Sequence, residues 1–184
     1  MKKAVVPFLA LIALGVSLNA KTLEIREYTI IGNDPIPTQA LTVEHAMPFE
    51  KKGIAFDASL SLPVPPDGKI VFRDLKPVSY PSEWDDKGKI LKESSRQVGI
   101  SVKADLSKEK GAETISLRCA YEHSTPKGNS VTALSNGEVL YQPVFSTLST
   151  ETTLELIPNQ WVITGGLMDT KSGERKILAF KLGE

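Results

Sequence analysis

Cysteine is almost missing from this chain: Cys119 is the single thiol in 184 residues. No intrachain disulfide is available, even in a compartment that would permit one. Histidine is nearly as scarce, with His45 and His123 alone, and neither lies in an H-x-x-x-H or H-E-x-x-H spacing. A metal set or a histidine-based relay therefore has little to draw on. The G-x-S-x-G elbow of serine hydrolases is also lacking. Lys and Arg balance Asp and Glu at 22 each, so there is no electrostatic footprint for nucleic acid. Trp84 and Trp161 are isolated aromatics without a flanking basic cluster. These absences leave no catalytic, cofactor-binding or metal-binding set, and a non-enzymatic role is expected.

Long apolar runs are also missing, with one exception at the start. Lys2 and Lys3 precede an apolar stretch from Ala4 to Val16, which ends in Ser17-Leu18-Asn19-Ala20. A charged start, a short apolar middle and a small-residue end describe a secretory signal peptide over residues 1–20. The stretch is too short for a bilayer span, which takes roughly 20 residues. Cleavage after Ala20 removes two lysines, so 22 basic residues become 20 against 22 acidic ones, a net charge of −2. The expected product is exported to the periplasm or the outer membrane, with residues 21–184 forming one domain.

What remains is rich in strand signals. Ile54, Phe56, Ala58, Leu60 and Leu62 alternate with smaller or polar residues, as do Ile100, Val102, Ala104 and Leu106, and Leu178, Phe180 and Leu182. Ile115, Leu117, Cys119 and Tyr121 share one strand face, which makes Cys119 a buried, inert thiol rather than a nucleophile. Turn dipeptides separate the runs: Asp67-Gly68, Lys87-Gly88, Lys110-Gly111, Lys127-Gly128 and Asn136-Gly137. Asp85-Asp86-Lys87-Gly88 reads as a solvated turn, because a calcium loop would place its last acidic ligand elsewhere. The fold class is therefore all-β, a single mostly antiparallel sheet or sandwich. One short helix is expected near residues 38–46 after Pro37, and an exposed loop from Pro77 to Lys89. The prolines of Leu62 to Gly68 exclude a central strand there.

Gly165-Gly166, at the end of Trp161-Val162-Ile163-Thr164, is not a phosphate cradle, since no Lys-Ser/Thr pair follows and Leu167-Met168 opens no helix. Glycine at a strand end marks a bend or a close backbone approach. Read as a block, Gln142 to Asp169 (QPVFSTLSTETTLELIPNQWVITGGLMD) resembles the C-terminal core of secretins. These are the ring-forming outer-membrane channels of type II and type III secretion and of type IV pilus systems. Val98-Gly99-Ile100-Ser101-Val102 is similar to that family's "VG" strand, and Ile115 to Cys119 to its partner. Tyr80 to Trp84 and Ser172 to Phe180 match further motifs in the family's order, so the resemblance spans about residues 80–182. It marks Val98, Gly99, Gly165, Gly166 and Leu167 as structural motif residues.

The chain lacks the family's segment between the Gly-Gly-Leu strand and the last strand, as well as its periplasmic domains, so the implied relative is a pared-down one. The expected role is a structural or accessory component of a secretion or pilus-type assembly. Its expected partners are envelope proteins, either copies of itself or a secretin ring. No nucleic acid and no cofactor is expected, and contact with a membrane is left open. The alternative is a free-standing periplasmic binding module for a peptide or small ligand.

Overall fold

A computed structural model describes residues 21–30, 41–43, 54–85, 87–134, 137, 139–164, 167–168 and 175–183. Among the described residues ten strands run in the order β1 (Thr22–Ile30), β2 (Leu41–Val43), β3 (Ile54–Pro63), β4 (Lys69–Trp84), β5 (Ile90–Ser107), β6 (Ile115–Ala133), β7 (Val139–Leu156), β8 (Trp161–Ile163), β9 (Leu167–Met168) and β10 (Arg175–Gly183). They form two antiparallel sheets, so the all-β sandwich expected from the alternation is the observed class. The first sheet has the order β2-β8-β10-β1-β3, with β9 also on β10. The second is a four-stranded meander, β4-β5-β6-β7. The first and last long strands pair along their whole length, Thr22 opposite Gly183 through Ile30 opposite Arg175. The meander is thus the middle of the chain, inserted between the two ends that build the first sheet.

Period-2 alternation explains the packing. Leu23, Ile25, Leu62, Leu178, Phe180 and Leu182 turn one face of the first sheet toward Val102, Ala104, Leu117, Cys119, Tyr121 and Leu154 of the second, and these interdigitate as one core. Removing this apolar surface from water is the main term holding the layers together. Ile177 to Phe180 are buried consecutively, so β10 is covered on both faces. Its second face joins Tyr28, Ile30, Trp161, Ile163, Ile177 and Ala179 in a smaller cluster.

Several local expectations change. There is no helix among the described residues, and Leu41–Val43 of the 38–46 segment is a strand paired with β8. The rest of that segment lies outside the described residues, as do residues 1–20, expected to be a signal peptide, and His45. Pro77 to Trp84 is strand rather than loop, because β4 is an edge strand, where a missing N–H breaks no ladder bond. The strand ends at Trp84, and beyond it Asp85 Oδ1 accepts the backbone N–H groups of Lys87 and Lys89. Lys127-Gly128 is not a turn either. It sits inside β6 at a shift in register between Pro126 and Asn129, where one strand carries extra residue length. A similar shift in the β1–β3 pairing turns Phe56 away from the face of Leu60 and Leu62, leaving it 57% exposed.

Candidate functional site

The meander strands are long: 16, 18, 19 and 18 residues, against about 5–6 in an ordinary sheet. At about 3.3 Å per residue each runs roughly 50–60 Å, far beyond the sandwich. The pairing of β5 with β6 covers only part of that length and stops at Gly99 opposite Ser124. Beyond this fork the sheet divides into two two-stranded ribbons. One continues β4–β5 out to Trp84 opposite Ile90, and the other continues β6–β7 out to Ala133 opposite Val139. Every residue from Pro126 to Ala133 is exposed.

Gly99 lies at the fork with φ +124, a backbone region that side chains rarely adopt. A Cβ there would overlap the carbonyl oxygen of Asp74 on β4. The "VG" pair flagged in the sequence therefore has a local reason. Val98, half-buried, continues the ladder opposite Lys76, while Gly99 lets β4 and β5 approach closely as the ribbons part. Pro126, two residues beyond Ser124, offers no N–H to extend the β6 ladder. Just past the fork the ribbons touch again. The Arg96 guanidinium lies 5.0 Å from the Phe145 ring centre and donates to Thr147 Oγ1 at 2.9 Å, and Tyr80 packs on Phe145 at 5.6 Å. Of the other motif residues, Leu167 pairs through its backbone with Lys176, and Gly165 and Gly166 lie outside the described residues.

Among the described residues the meander also has two outer strands without a neighbour in its sheet, β4 and β7. Their distal parts carry Pro77, Pro81 and Pro143, which blunt an edge, but residues 69–76 and 144–156 contain no proline. On the face turned away from the core, the proline-free part of β4 presents Lys69 and Arg73. The matching part of β7 presents Glu151 and Glu155, and all four are exposed. Each pair is spaced by four residues.

A buried polar cluster sits between the sheets just below the fork. Glu27 of β1 is fully buried on the face that carries Leu23 and Ile25. Its Oε1 accepts a hydrogen bond from Lys176 Nζ at 2.5 Å, and its Oε2 accepts the Tyr121 hydroxyl at 2.8 Å and pairs with His123 Nδ1 at 2.7 Å. Lys176 also reaches Asp57 at 3.1 Å, and Asp57 accepts a short hydrogen bond from Thr29. His123 is thus inside β6 and held by a carboxylate. Burial alone would raise the Glu27 pKa. The hydrogen bonds from His123, Lys176 and Tyr121 and the Lys176 charge outweigh it and hold the carboxyl at about 2. Lys176 is pushed up, because Glu27 and Asp57 outweigh its own burial.

An ionised Glu27 is a poor base, and its side chain is fully buried. Among the described residues no three His, Cys, Asp or Glu side chains gather as metal ligands. Cys119 is buried, and burial pushes its thiol up to about 12, as an inert core residue requires. The cluster ties β1, β3 and β10 to β6. Sequence reading missed it because its members are up to 149 positions apart. The one local signal was a carboxylate at Glu27 in phase with the apolar Leu23 and Ile25. Among the described residues no helix is long and apolar enough to cross a membrane, which leaves strands unaddressed.

Comparison with models of known families, with curated proteins and with solved structures gives no match to this chain.

Proposed function

We propose that this chain is a non-enzymatic structural component of a cell-envelope assembly of the secretion or pilus type, in which copies join side by side through the open edges of the meander. The observation that carries this reading is the pair of ribbons on a sheet whose two edges have no partner strand among the described residues. An isolated two-stranded ribbon is marginal in water, and a free proline-poor edge is a template for another strand. Strands this long gain their stability when neighbours on both sides complete the ladder. The ordered motifs resembling a secretin core, and the signal-peptide pattern before them, support the same reading.

The edges differ in charge, so the contact is head to tail: β4 of one copy against β7 of the next. Within the meander adjacent strands are antiparallel, and the next β4 meets β7 antiparallel as well. One register then places Lys69 opposite Glu155 and Arg73 opposite Glu151 at once, on the face away from the core. A repeated head-to-tail contact of this kind gives a ring where its rotation closes.

Size exclusion with light scattering on the chain from Lys21 onward tests this. Wild type is expected as a concentration-dependent oligomer. Lys69→Glu with Arg73→Glu, or Glu151→Lys with Glu155→Lys, should give monomers, and mixing the two double variants should restore assembly. A wild-type monomer at every concentration sinks the reading and leaves the same edges for an extended peptide.

A further inference from the structure

The two sheets part at the end of the sandwich away from the fork. There the proline segment that the sequence sets apart, Val64-Pro65-Pro66-Asp67-Gly68, crosses from β3 in the first sheet to β4 in the second. Between this crossing and the start of β6 lies a cavity of about 600 Å³, a size that takes a drug-sized ligand. Its floor is apolar: Ile115 and Leu182 belong to the main core, and Leu106 packs against it. Val64, Pro65 and Pro66 form one wall. That wall is held from both sides, since the Val64 N–H donates to the Lys21 carbonyl at 2.8 Å and the Leu106 N–H to the Gly68 carbonyl at 3.0 Å. The Gly68 N–H closes the turn on the Pro65 carbonyl at 2.9 Å. Two proline rings fix their own φ, so the cavity has its shape before anything enters it.

The rim of this cavity is cationic. Lys21 and Lys108 line it, both exposed, and neither ammonium pairs with a carboxylate among the described residues. Other lysines of the chain do pair: Lys92 with Glu83, Lys176 with Glu27 and Lys181 with Glu24. Asp67, the acidic residue of the lining, points its Oδ1 at the Lys69 N–H at 3.2 Å, inside its own turn. We infer that the cavity binds an aliphatic carboxylate, with its chain on Leu106, Ile115 and Leu182 and its head between Lys21 and Lys108. The floor carries no charge, so the ligand enters chain first and keeps its head in water at the rim. Burial of the chain supplies the affinity, and the two ammonium groups select a negative head. The site lies at the opposite end of the sandwich from the ribbons, and its occupancy does not depend on the assembly proposed above.

Calorimetric titration of the chain from Lys21 onward, which retains every described strand, with octanoate below its micelle concentration tests this. One site per chain is expected, and octanol, with the same chain and no charge, should bind about tenfold more weakly. Lys21→Glu with Lys108→Glu should weaken octanoate about tenfold and leave octanol unchanged. Lys87→Glu with Lys89→Glu makes the same change of net charge at the far tip of the β4–β5 ribbon and should leave both unchanged. Val64→Trp puts a ring into the cavity and should abolish binding of both, with far-UV circular dichroism and melting temperature showing that the variant is folded. Where that variant does not fold, the lysine variants decide. No saturable heat with octanoate, several octanoates bound per chain, or octanol bound as tightly as octanoate overturns the inference. So does undiminished binding by the Lys21–Lys108 variant or by a folded Val64→Trp chain.

Discussion

The meander contains two cross-strand Val–Tyr pairs. Val102 faces Tyr121 across β5 and β6, and Val131 faces Tyr141 across β6 and β7. The first pair is 0% and 2% exposed, the second 62% and 61%. Residue type, strand conformation and antiparallel pairing are the same. The difference is the second layer: Phe180, Leu178 and Ile25 pack into the same core as Val102 and Tyr121, and nothing described covers Val131 and Tyr141. Period-2 apolarity therefore announces a face that will be covered without saying by what. In the sandwich the chain itself covers it, and on the ribbon no described residue does.

The sharpest way to break this contrast is to truncate one aromatic on each side of it. Phe180→Ala removes a fully buried ring from the centre of the core and should cost about 3–5 kcal/mol in urea unfolding. Tyr141→Ala should change the same measurement by less than about 0.5 kcal/mol, because that ring is in water in the free chain. Comparable losses would mean that the ribbon packs on the sandwich in solution.

Much of the sandwich was legible because alternation and turn chemistry are local. Leu178, Phe180 and Leu182 on one face of β10 and Ile115 to Tyr121 on one face of β6 followed from period alone. The reach of the strands was not legible. Pro77 and Pro81 look like loop residues until it is known that β4 is an edge, and edge position is set by topology. The Lys127-Gly128 pair likewise looks like a turn until its partner strand shows that β6 absorbs it in a shift of register. The charges that carry the proposed contact were in view as residues, but their common face and shared spacing emerge only once β4 and β7 are placed at opposite edges. Val98-Gly99 was marked by resemblance, and the structure supplies the physical reason at Gly99.

The Glu27 cluster lies on the boundary between the two regions, and it should respond to pH in a way that neither region does. With a folded pKa of about 2 against an ordinary value of 4.5, Glu27 contributes stability that is fully present above pH 4.5 and lost as pH falls toward 2. The size is on the order of 3 kcal/mol. Glu27→Gln should cost about that much at neutral pH, since Lys176 loses its buried partner. The variant should also lose most of the pH dependence between 4.5 and 2, so the two stability curves converge in acid. Parallel curves would show that the wild-type acid response comes from other carboxylates.

The smallest expected effect concerns the fork itself. At φ +124 an alanine is strained, and its Cβ would press on the Asp74 carbonyl, so Gly99→Ala should destabilise the domain by about 1–3 kcal/mol. The strain acts where β4, β5 and β6 meet, so its effect need not stop at global stability. If the fork holds the ribbons at a fixed angle to the sandwich, amide exchange in Gly99→Ala should quicken from Leu75 outward on β4 and from Thr125 outward on β6, while Leu117 and Phe180 stay protected. If exchange rises equally in the sandwich, the two regions unfold as one unit, and the exposed Val–Tyr pair belongs to the same cooperative structure as the buried one.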